Sequence, residues 1–304
     1  MKRFFLASLV TAMGFTFHSC DYVSNAVPQV KDVPIDVVKK VLIEDYTGHK
    51  CGNCPNAARA LHALDSIDNK KSDLIIPMAV HAGFYANVNG TYPQDFRSTA
   101  GTDFDATFGI SSGPGNPNGV VNRVGFTGGN FIQAYSAWSG SAQLINNYVQ
   151  VPRAANTTID SLSDFKIDIS NAFDTVSGQL TCSVTVTVCR NVNAKYNLSV
   201  LITEDDLVGP QLDYSLNASQ YPGQIYPNYI FDHVLRGAVN TSWGETIING
   251  VARIKDYRKR TYTGFQFGSS WNHKKCHVIA FVYYSDTSSP NYYEIEQVET
   301  KAVN

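Results

Sequence analysis

The chain of 304 residues is 43% apolar, 16% charged and 12% aromatic. This composition is typical of a folded protein and excludes a disordered chain, which is poor in apolar residues and rich in charge. A formal net charge of -2 gives no electrostatic basis for binding nucleic acid. The length predicts two domains, since about 100–200 residues per domain is typical.

The N-terminus has the pattern of an export signal. Two basic residues precede an apolar run from Phe4 to Phe17, which is shorter than the roughly 20 residues that a membrane-spanning helix needs. The next residues, "FHSC", resemble a lipobox, in which the cysteine is diacylated and becomes the mature N-terminus. We expect a lipoprotein signal peptide over 1–19, a lipid anchor on Cys20 and a tether over 20–38. The alternative is cleavage and release.

The next segment predicts a strand, a helix and a second strand. "VLIEDY" (Val41–Tyr46) is an apolar, β-like run, and Cys54–Ile67 carries apolar residues at helical spacing. "LIIPMAVH" (Leu74–His81) is a second apolar strand. A strand–helix–strand order with so short a helix predicts a parallel βαβ unit.

The rest of the N-terminal half predicts three further elements, and the pattern then changes. We expect a short helix around Thr102–Phe108, a short strand after Pro117 and a helix over Phe131–Val149. After Pro152 the runs "FKIDIS", "QLTCSVTVTVC", "YNLSVLIT" and "HVIAFVYY" alternate β-branched and aromatic residues, which predicts an antiparallel sandwich. The predicted domains are 39–155, mixed α/β, and 156–304, all-β.

The pair in "CGNC", Cys51 and Cys54, lies between the first strand and the helix. The thiolate is the reactive form, and a helix start favours it, so that C-x-x-C pairs reach pKa values of about 3.5–7.5. Positive charge on His49 and Lys50 would lower the pKa of Cys51 further. We expect Cys51 to be the nucleophile and Cys54, one helical turn on, the resolving thiol.

"LIEDYTGHKCGNCP" resembles the strand, active-site turn and helix start of the thioredoxin family, with Lys50 in place of the usual tryptophan. The resemblance implies that Asp45 is a buried proton relay for the second cysteine. "GNPNGVVNR" resembles the cis-proline landmark of the same family. It implies that Pro117 is cis and shapes the peptide groove, and that Asn116 lies beside the cysteines and pairs with substrate backbone.

A narrower resemblance covers nearly all of the mature chain. The lipobox, "DYTGHKCGNCP", "AVHAG", "PNGVVNR", "FDHVLRG", "TSWGE" and "AFVYY" together resemble the Bacteroidetes outer-membrane lipoprotein family named after a twenty-eight-kilodalton antigen. The resemblance implies an α/β thioredoxin-like domain followed by an all-β immunoglobulin-like sandwich. It also implies a place in the outer membrane, facing either the periplasm or the surface.

Two other interpretations of the cysteine pair stay open. The first is a static disulfide, which is common in exported proteins. The second is metal capture, because Cys51 and Cys54 with either His49 or His81 would suit copper or zinc. No second C-x-x-C completes a four-ligand set, so a closed structural zinc site is not expected. Our prediction is a site without metal or cofactor.

Two further regions have competing interpretations. His81 ends the second predicted strand, at the same sheet edge as the cysteine turn if the strands are parallel. We predict that His49 and His81 contribute to substrate binding, whereas the alternative for His81 is a hydrogen-bonded structural residue. The tyrosine-rich segment Asp213–Phe231 either recognises a partner or packs against the rest of the protein.

Three cysteines remain in the C-terminal half. Cys182 shares strand parity with Leu180 and Val184, so it should face the core. A bridge between Cys189 and Cys276 is the preferred pairing in an oxidising compartment.

The leading hypothesis is an outer-membrane-anchored thiol–disulfide oxidoreductase that acts on thiols and disulfides of exported proteins. Its rival is a non-catalytic binding or adhesion lipoprotein in which the cysteine pair is a structural disulfide.

Overall fold

The protein is described by a computed structural model that covers residues 33–67, 74–129, 131–134 and 162–303. The predicted signal peptide, the lipidation site Cys20 and most of the predicted tether lie outside the described residues. The described part of the chain contains fourteen β-strands and two α-helices, so it is mostly β. Residues Pro34–Asn304 form one compact unit.

The first elements are β1 (Val41–Thr47), α1 (Cys54–Ile67), β2 (Ile75–His81), α2 (Thr99–Phe108), β3 (Asn118–Val121) and β4 (Ile132–Ala134). β1 and β2 pair in parallel with α1 between them, which confirms the predicted strand–helix–strand unit. β3 pairs antiparallel with both β1 and β4. The helix predicted over Phe131–Val149 is wrong at its start, where β4 is a strand. Residues 135–149 of that prediction lie outside the described residues.

The later strands are β5 (Phe165–Asp174), β6 (Gln179–Val188), β7 (Val192–Glu204), β8 (Leu207–Leu212), β9 (Ile225–Phe231), β10 (Val234–Ala238), β11 (Glu245–Ala252), β12 (Tyr257–Gln266), β13 (Cys276–Tyr284) and β14 (Ile295–Ala302). A nine-stranded sheet has the order β14-β13-β7-β10-β2-β1-β3-β4, with β11 paired to β7. β12, β6 and β5 form a three-stranded sheet, and β8 with β9 forms a two-stranded sheet.

The predicted fold class, an α/β thioredoxin-like domain followed by an all-β immunoglobulin-like sandwich, is wrong, because the described residues are mostly β-strand and a thioredoxin-like α/β domain is not evident among them. β10, from the C-terminal half, pairs with β7 on one side and with β2, from the N-terminal half, on the other. The large sheet therefore contains strands from both halves of the chain. The Ala79 N–H donates to the His233 carbonyl at 2.8 Å across this junction. β2 is largely buried along its length and would be a costly open edge in a separate domain, so pairing with β10 is favoured. The all-β character of the C-terminal part agrees with the prediction.

Apolar side chains pack on both faces of the large sheet, as the two-residue period of a strand requires. On one face β5 and β6 pack against β7 and β13, with a core that includes Phe165, Ile167, Leu180, Val184, Leu198, Val200, Val278 and Ala280. On the other face α2 packs against β10 and β2, with a core that includes Leu42, Tyr46, Met78, Val80, Phe104, Phe108 and Phe281.

A buried ion pair lies on the α2 side of the sheet. Arg123 donates to both carboxylate oxygens of Glu44, at 2.9 and 2.6 Å, and neither side chain is exposed to solvent. The guanidinium carbon lies 4.8 Å from the ring centroid of Phe104 and 5.1 Å from that of Phe281. Arg123 therefore links β1 to the aromatic core through charge and ring contacts.

The three cysteines of the C-terminal half are free and buried. The predicted Cys189–Cys276 bridge is wrong, because Cys189 follows β6 in the three-stranded sheet whereas Cys276 begins β13 in the large sheet. Cys182 faces the core as its parity predicts. Burial raises the pKa of Cys182 to about 11 and that of Cys276 to about 12. Both thiols are protonated and unreactive at neutral pH.

Candidate functional site at the Cys51–Cys54 disulfide

Cys51 and Cys54 form a disulfide at the point where β1 leads into α1. Cys54 is the first residue of α1, and its N–H donates to the Cys51 carbonyl at 3.2 Å. The Cys51 N–H donates to the Gly48 carbonyl at 3.0 Å. The two residues are only 3% and 2% exposed, so the bond is shielded from solvent.

Much of this shielding comes from the end of β8 and the residues that follow it. The Leu212 N–H donates to the His49 carbonyl and the Tyr214 N–H donates to the Gly52 carbonyl, each at 2.9 Å. The Gln211 side chain donates to the Cys51 carbonyl at 3.0 Å. The tyrosine-rich segment thus begins with residues that pack against the cysteine turn, which is one of its two interpretations from the sequence.

The two basic residues before Cys51 have different surroundings. Burial lowers the pKa of His49 below its usual value, so the imidazole is neutral at pH 7. Its ring stacks on Tyr92 with 5.0 Å between centroids. The Lys50 ammonium lies 4.5 Å from the centroid of the Phe84 ring. Of the two positive charges expected beside Cys51, that of His49 is therefore absent at neutral pH.

A pocket lies behind the disulfide, between the sheet, α1 and the end of β9. Alternate residues of β1 and β2 point toward it, whereas their neighbours point into the α2 core. Its lining includes Asp45, Cys54, Ala79, His81, Leu61 and Phe231. The pocket therefore places one of the two cysteines, the predicted proton relay and a predicted binding histidine on a common cavity.

Asp45 contributes a carboxyl group to the wall of this pocket. Its side chain is buried, and its Oδ1 has no hydrogen-bond partner among the described residues. Burial raises its pKa from 3.8 to about 7. The carboxyl group can therefore take up or release a proton at neutral pH.

His81 pairs with Thr47 across the parallel strands, at the sheet edge where the sequence predicted it. The edges of the Phe96 and Phe231 rings surround it, with centroids 5.4 and 5.5 Å from the imidazole. Burial lowers its pKa to about 3, so the ring is neutral. Neither ring nitrogen has a hydrogen-bond partner in the described part of the chain.

The Asn116–Pro117 peptide bond is cis, as the resemblance implied. It directly precedes β3, whose Asn118 pairs with Tyr46 on the strand that leads to the cysteines. The Asn116 side-chain oxygen accepts a hydrogen bond from Ser111 Oγ at 3.2 Å. In the described residues, Asn116 and Pro117 are not part of the lining of the Asp45 pocket.

Metal binding gains no support from the side-chain arrangement. The two cysteines are bonded to each other, and within the described ranges no three His, Cys, Asp or Glu side chains converge into a metal-ion set.

Comparison with protein families assigns the chain to a family. The model of the family "Outer membrane protein Omp28" matches residues 103–304, about two thirds of the sequence. The chain belongs to the Omp28 family. The resemblance from the sequence motifs is thereby confirmed, and so is the expected place in the cell envelope at the outer membrane. The match begins within α2, so the Omp28 model does not include the Cys51–Cys54 turn.

One solved structure extends the comparison to the N-terminal half. HBP35 of Porphyromonas gingivalis matches with a TM-score of 0.61 and 16% sequence identity, over 87% of this chain and 75% of that chain. At this identity the likeness shows a shared fold alone. No curated protein matches the chain. Within its described residues this Omp28 family member has no helix with the length and apolar character needed to cross a membrane.

Proposed function

We propose that this Omp28 family protein carries out thiol–disulfide exchange on exported proteins at the outer membrane. The observation that carries the proposal is the pocket that Cys54 shares with Asp45, whose burial raises its pKa to about 7. A carboxyl group that titrates near neutral pH beside a cysteine pair is suited to proton transfer during exchange.

In the reduced protein Cys51 is the nucleophile, because the helix start favours its thiolate. The Cys51 thiolate attacks a substrate disulfide and forms a mixed disulfide, while the other substrate sulfur leaves as a thiolate and is protonated. The Cys54 thiolate then attacks Cys51 Sγ and releases the second substrate sulfur. Two electrons pass to the substrate, and the Cys51–Cys54 bond forms.

Asp45 acts as the proton acceptor for Cys54. The Cys54 thiol must lose its proton before it attacks, and a carboxylate with a pKa of about 7 accepts that proton at neutral pH. In the reverse reaction the same group returns the proton to the leaving thiolate. The neutral His81 ring lies on the same pocket, where it contributes hydrogen-bonding capacity without charge.

The remaining predicted roles belong to this proposal. Asn116 pairs with the backbone of the substrate, Pro117 shapes the groove that receives it, and His49 contributes to substrate binding. A lipid on Cys20 anchors the protein, with each buried CH₂ contributing about 0.8 kcal/mol. The substrate is then a protein thiol or disulfide that reaches the membrane surface.

The test is the equilibrium redox state of Cys51–Cys54 across a glutathione series, read by thiol trapping and mass spectrometry. We expect a potential between about -270 and -120 mV, the range of exchange catalysts. Cys51→Ser should abolish exchange with a protein substrate while the fold is retained. Unchanged exchange in that variant, or a potential below about -300 mV, would exclude the catalytic assignment.

A second candidate function is a non-catalytic binding or adhesion lipoprotein with a structural disulfide. The observation in its favour is the burial of both cysteines, at 3% and 2% exposure. A potential below about -300 mV would support this function, because structural disulfides resist reduction by the glutathione pool.

A further inference from the structure

The last two residues of β8 and the three residues after it contact the cysteine turn closely. A Cβ atom added at Gly52 would lie 2.6 Å from three atoms of the Tyr214 ring, so the absence of a side chain at Gly52 is what allows the contact. With the backbone hydrogen bonds from Leu212 and Tyr214, this contact holds the segment against the cysteine turn, where both cysteines are almost fully buried. We call Gln211–Ser215 the cover.

The closed cover is incompatible with exchange. A thiolate must approach one sulfur of a disulfide along the S–S bond, so the reaction rate depends on access to that sulfur. Both cysteines are almost fully buried in this state. A substrate protein therefore reacts only after the cover has moved.

One ion pair joins the cover to α1. Arg59 donates to Asp213 Oδ2 at 3.0 Å and to Ser215 Oγ at 3.1 Å. The Asp213 side chain is 5% exposed and that of Arg59 is 49% exposed. Burial alone would raise the pKa of Asp213, but hydrogen bonds from Arg59 and Ser215 outweigh it and hold the pKa below its usual value. Asp213 is therefore charged at neutral pH, and the ion pair is complete.

The hydrogen bonds of the described residues between Leu216 and Gln224 are made within this segment and to the cover, so they can move together with the cover. β8 and β9 form a two-stranded sheet outside the large sheet. Most residues between Tyr214 and Gln224 are exposed, and Tyr214 itself is 56% exposed. Segments with little buried apolar surface open at low free-energy cost compared with global unfolding.

We propose that the cover is a displaceable lid on the cysteine pair and that Arg59–Asp213 is its latch. The proposal rests on the proposed function and adds its regulation: exchange requires release of the latch. An extended substrate segment that offers N–H groups to the carbonyls of His49 and Gly52 would replace the bonds that the lid makes there. The substrate class is then an unfolded or extended polypeptide that contains a cysteine.

The test is the rate at which dithiothreitol reduces Cys51–Cys54 in the oxidised full-length protein. A dithiothreitol thiolate attacks Cys51 Sγ, the Cys51–Cys54 bond breaks, and Cys54 leaves as a thiolate that is protonated. The second dithiothreitol thiol displaces Cys51 and closes the oxidised ring, so the protein gains two electrons and two protons. Quenching by alkylation and peptide mass spectrometry follows the two cysteines separately from the buried thiols.

Two variants break the latch from opposite sides. Asp213→Asn keeps the oxygen that accepts bonds from Ser215 and removes the charge paired with Arg59. Arg59→Gln changes a half-exposed helix residue, so its effect on folding should be small. We expect each to be reduced about five- to thirty-fold faster than the wild type, the effect of losing one charged hydrogen-bond pair. Asp168→Asn, which breaks an exposed pair with Lys166 on β5, should stay within about twofold.

A reduction rate within about twofold of the wild type in either folded latch variant would overturn the proposal. The outcomes distinguish a failure of the lid proposal from a failure of the proposed function. Faster reduction of the variants without catalysed exchange in the wild type supports the lid and rejects the function. Catalysed exchange in the wild type with unchanged reduction in the variants supports the proposed function and rejects the lid.

Discussion

Replacing Asp45 by Asn is expected to change how the free energy of unfolding depends on pH. Burial raises the pKa of Asp45 from 3.8 to about 7 in the folded protein. Each pKa unit corresponds to about 1.4 kcal/mol, so the buried carboxylate costs about 4 kcal/mol of stability once it is ionised. Asn has no charge to bury, and the variant should therefore be the more stable protein above neutral pH.

The direction follows from the protons bound in each state. Below about pH 4 the carboxyl group is protonated in both the folded and unfolded chains, so it adds no pH dependence. Between about pH 4 and pH 7 the unfolded chain loses the proton while the folded chain keeps it. The stability of the wild type relative to Asp45→Asn falls across this window and is constant above it.

The assay is urea unfolding of oxidised wild type and variant at several values from about pH 4 to about pH 8. The buried His81, with its pKa lowered to about 3, changes stability in the opposite direction across part of this range. Taking the difference between the two proteins at each pH removes that contribution. A difference that stays constant across the range would refute the raised pKa and, with it, the proposed proton-transfer role of Asp45.

Two further predictions concern the core. In a urea titration, Glu44→Gln should lower the free energy of unfolding by about 3–5 kcal/mol, because it leaves Arg123 charged and buried. The control Asp168→Asn, which breaks an exposed ion pair, should lose less than about 1 kcal/mol in the same titration. A loss below about 1 kcal/mol in Glu44→Gln would contradict the burial of this pair. Native protein treated with iodoacetamide at about pH 8 should remain unlabelled at Cys182 and Cys276, whose raised pKa values keep them protonated. Rapid labelling at either cysteine would show that it is accessible and acidic.

Local features of the N-terminal half were predictable because they depend on neighbouring residues. Apolar periodicity gave β1, α1 and β2 nearly to the residue, and the resemblance gave the cis bond before Pro117. The alternation in "VLIEDY" also contains the site, since Glu44 points into the core and Asp45 into the pocket. A charged residue on each face of so apolar a strand indicates that both charges are buried. The sequence prediction drew only on Asp45 and made no use of Glu44.

The long-range features were not predictable in the same way. Pairing of β10 with β2 depends on which strand edges meet, and a single sequence contains no direct signal for that choice. The partner of Arg123 lies in β1, far away along the chain, and nothing in "PNGVVNR" identifies it. The contact between Tyr214 and Gly52 likewise joins segments whose patterns are ordinary when considered separately.

The pairing of β10 with β2 also determines how this protein can be divided for experiments. A fragment that ends before residue 162 would leave the edge of β2 without its partner strand and remove the segment that covers the cysteines. Unpaired edges of this kind template aggregation between chains. Expression trials and refolding studies should therefore retain everything from the first strand to the last.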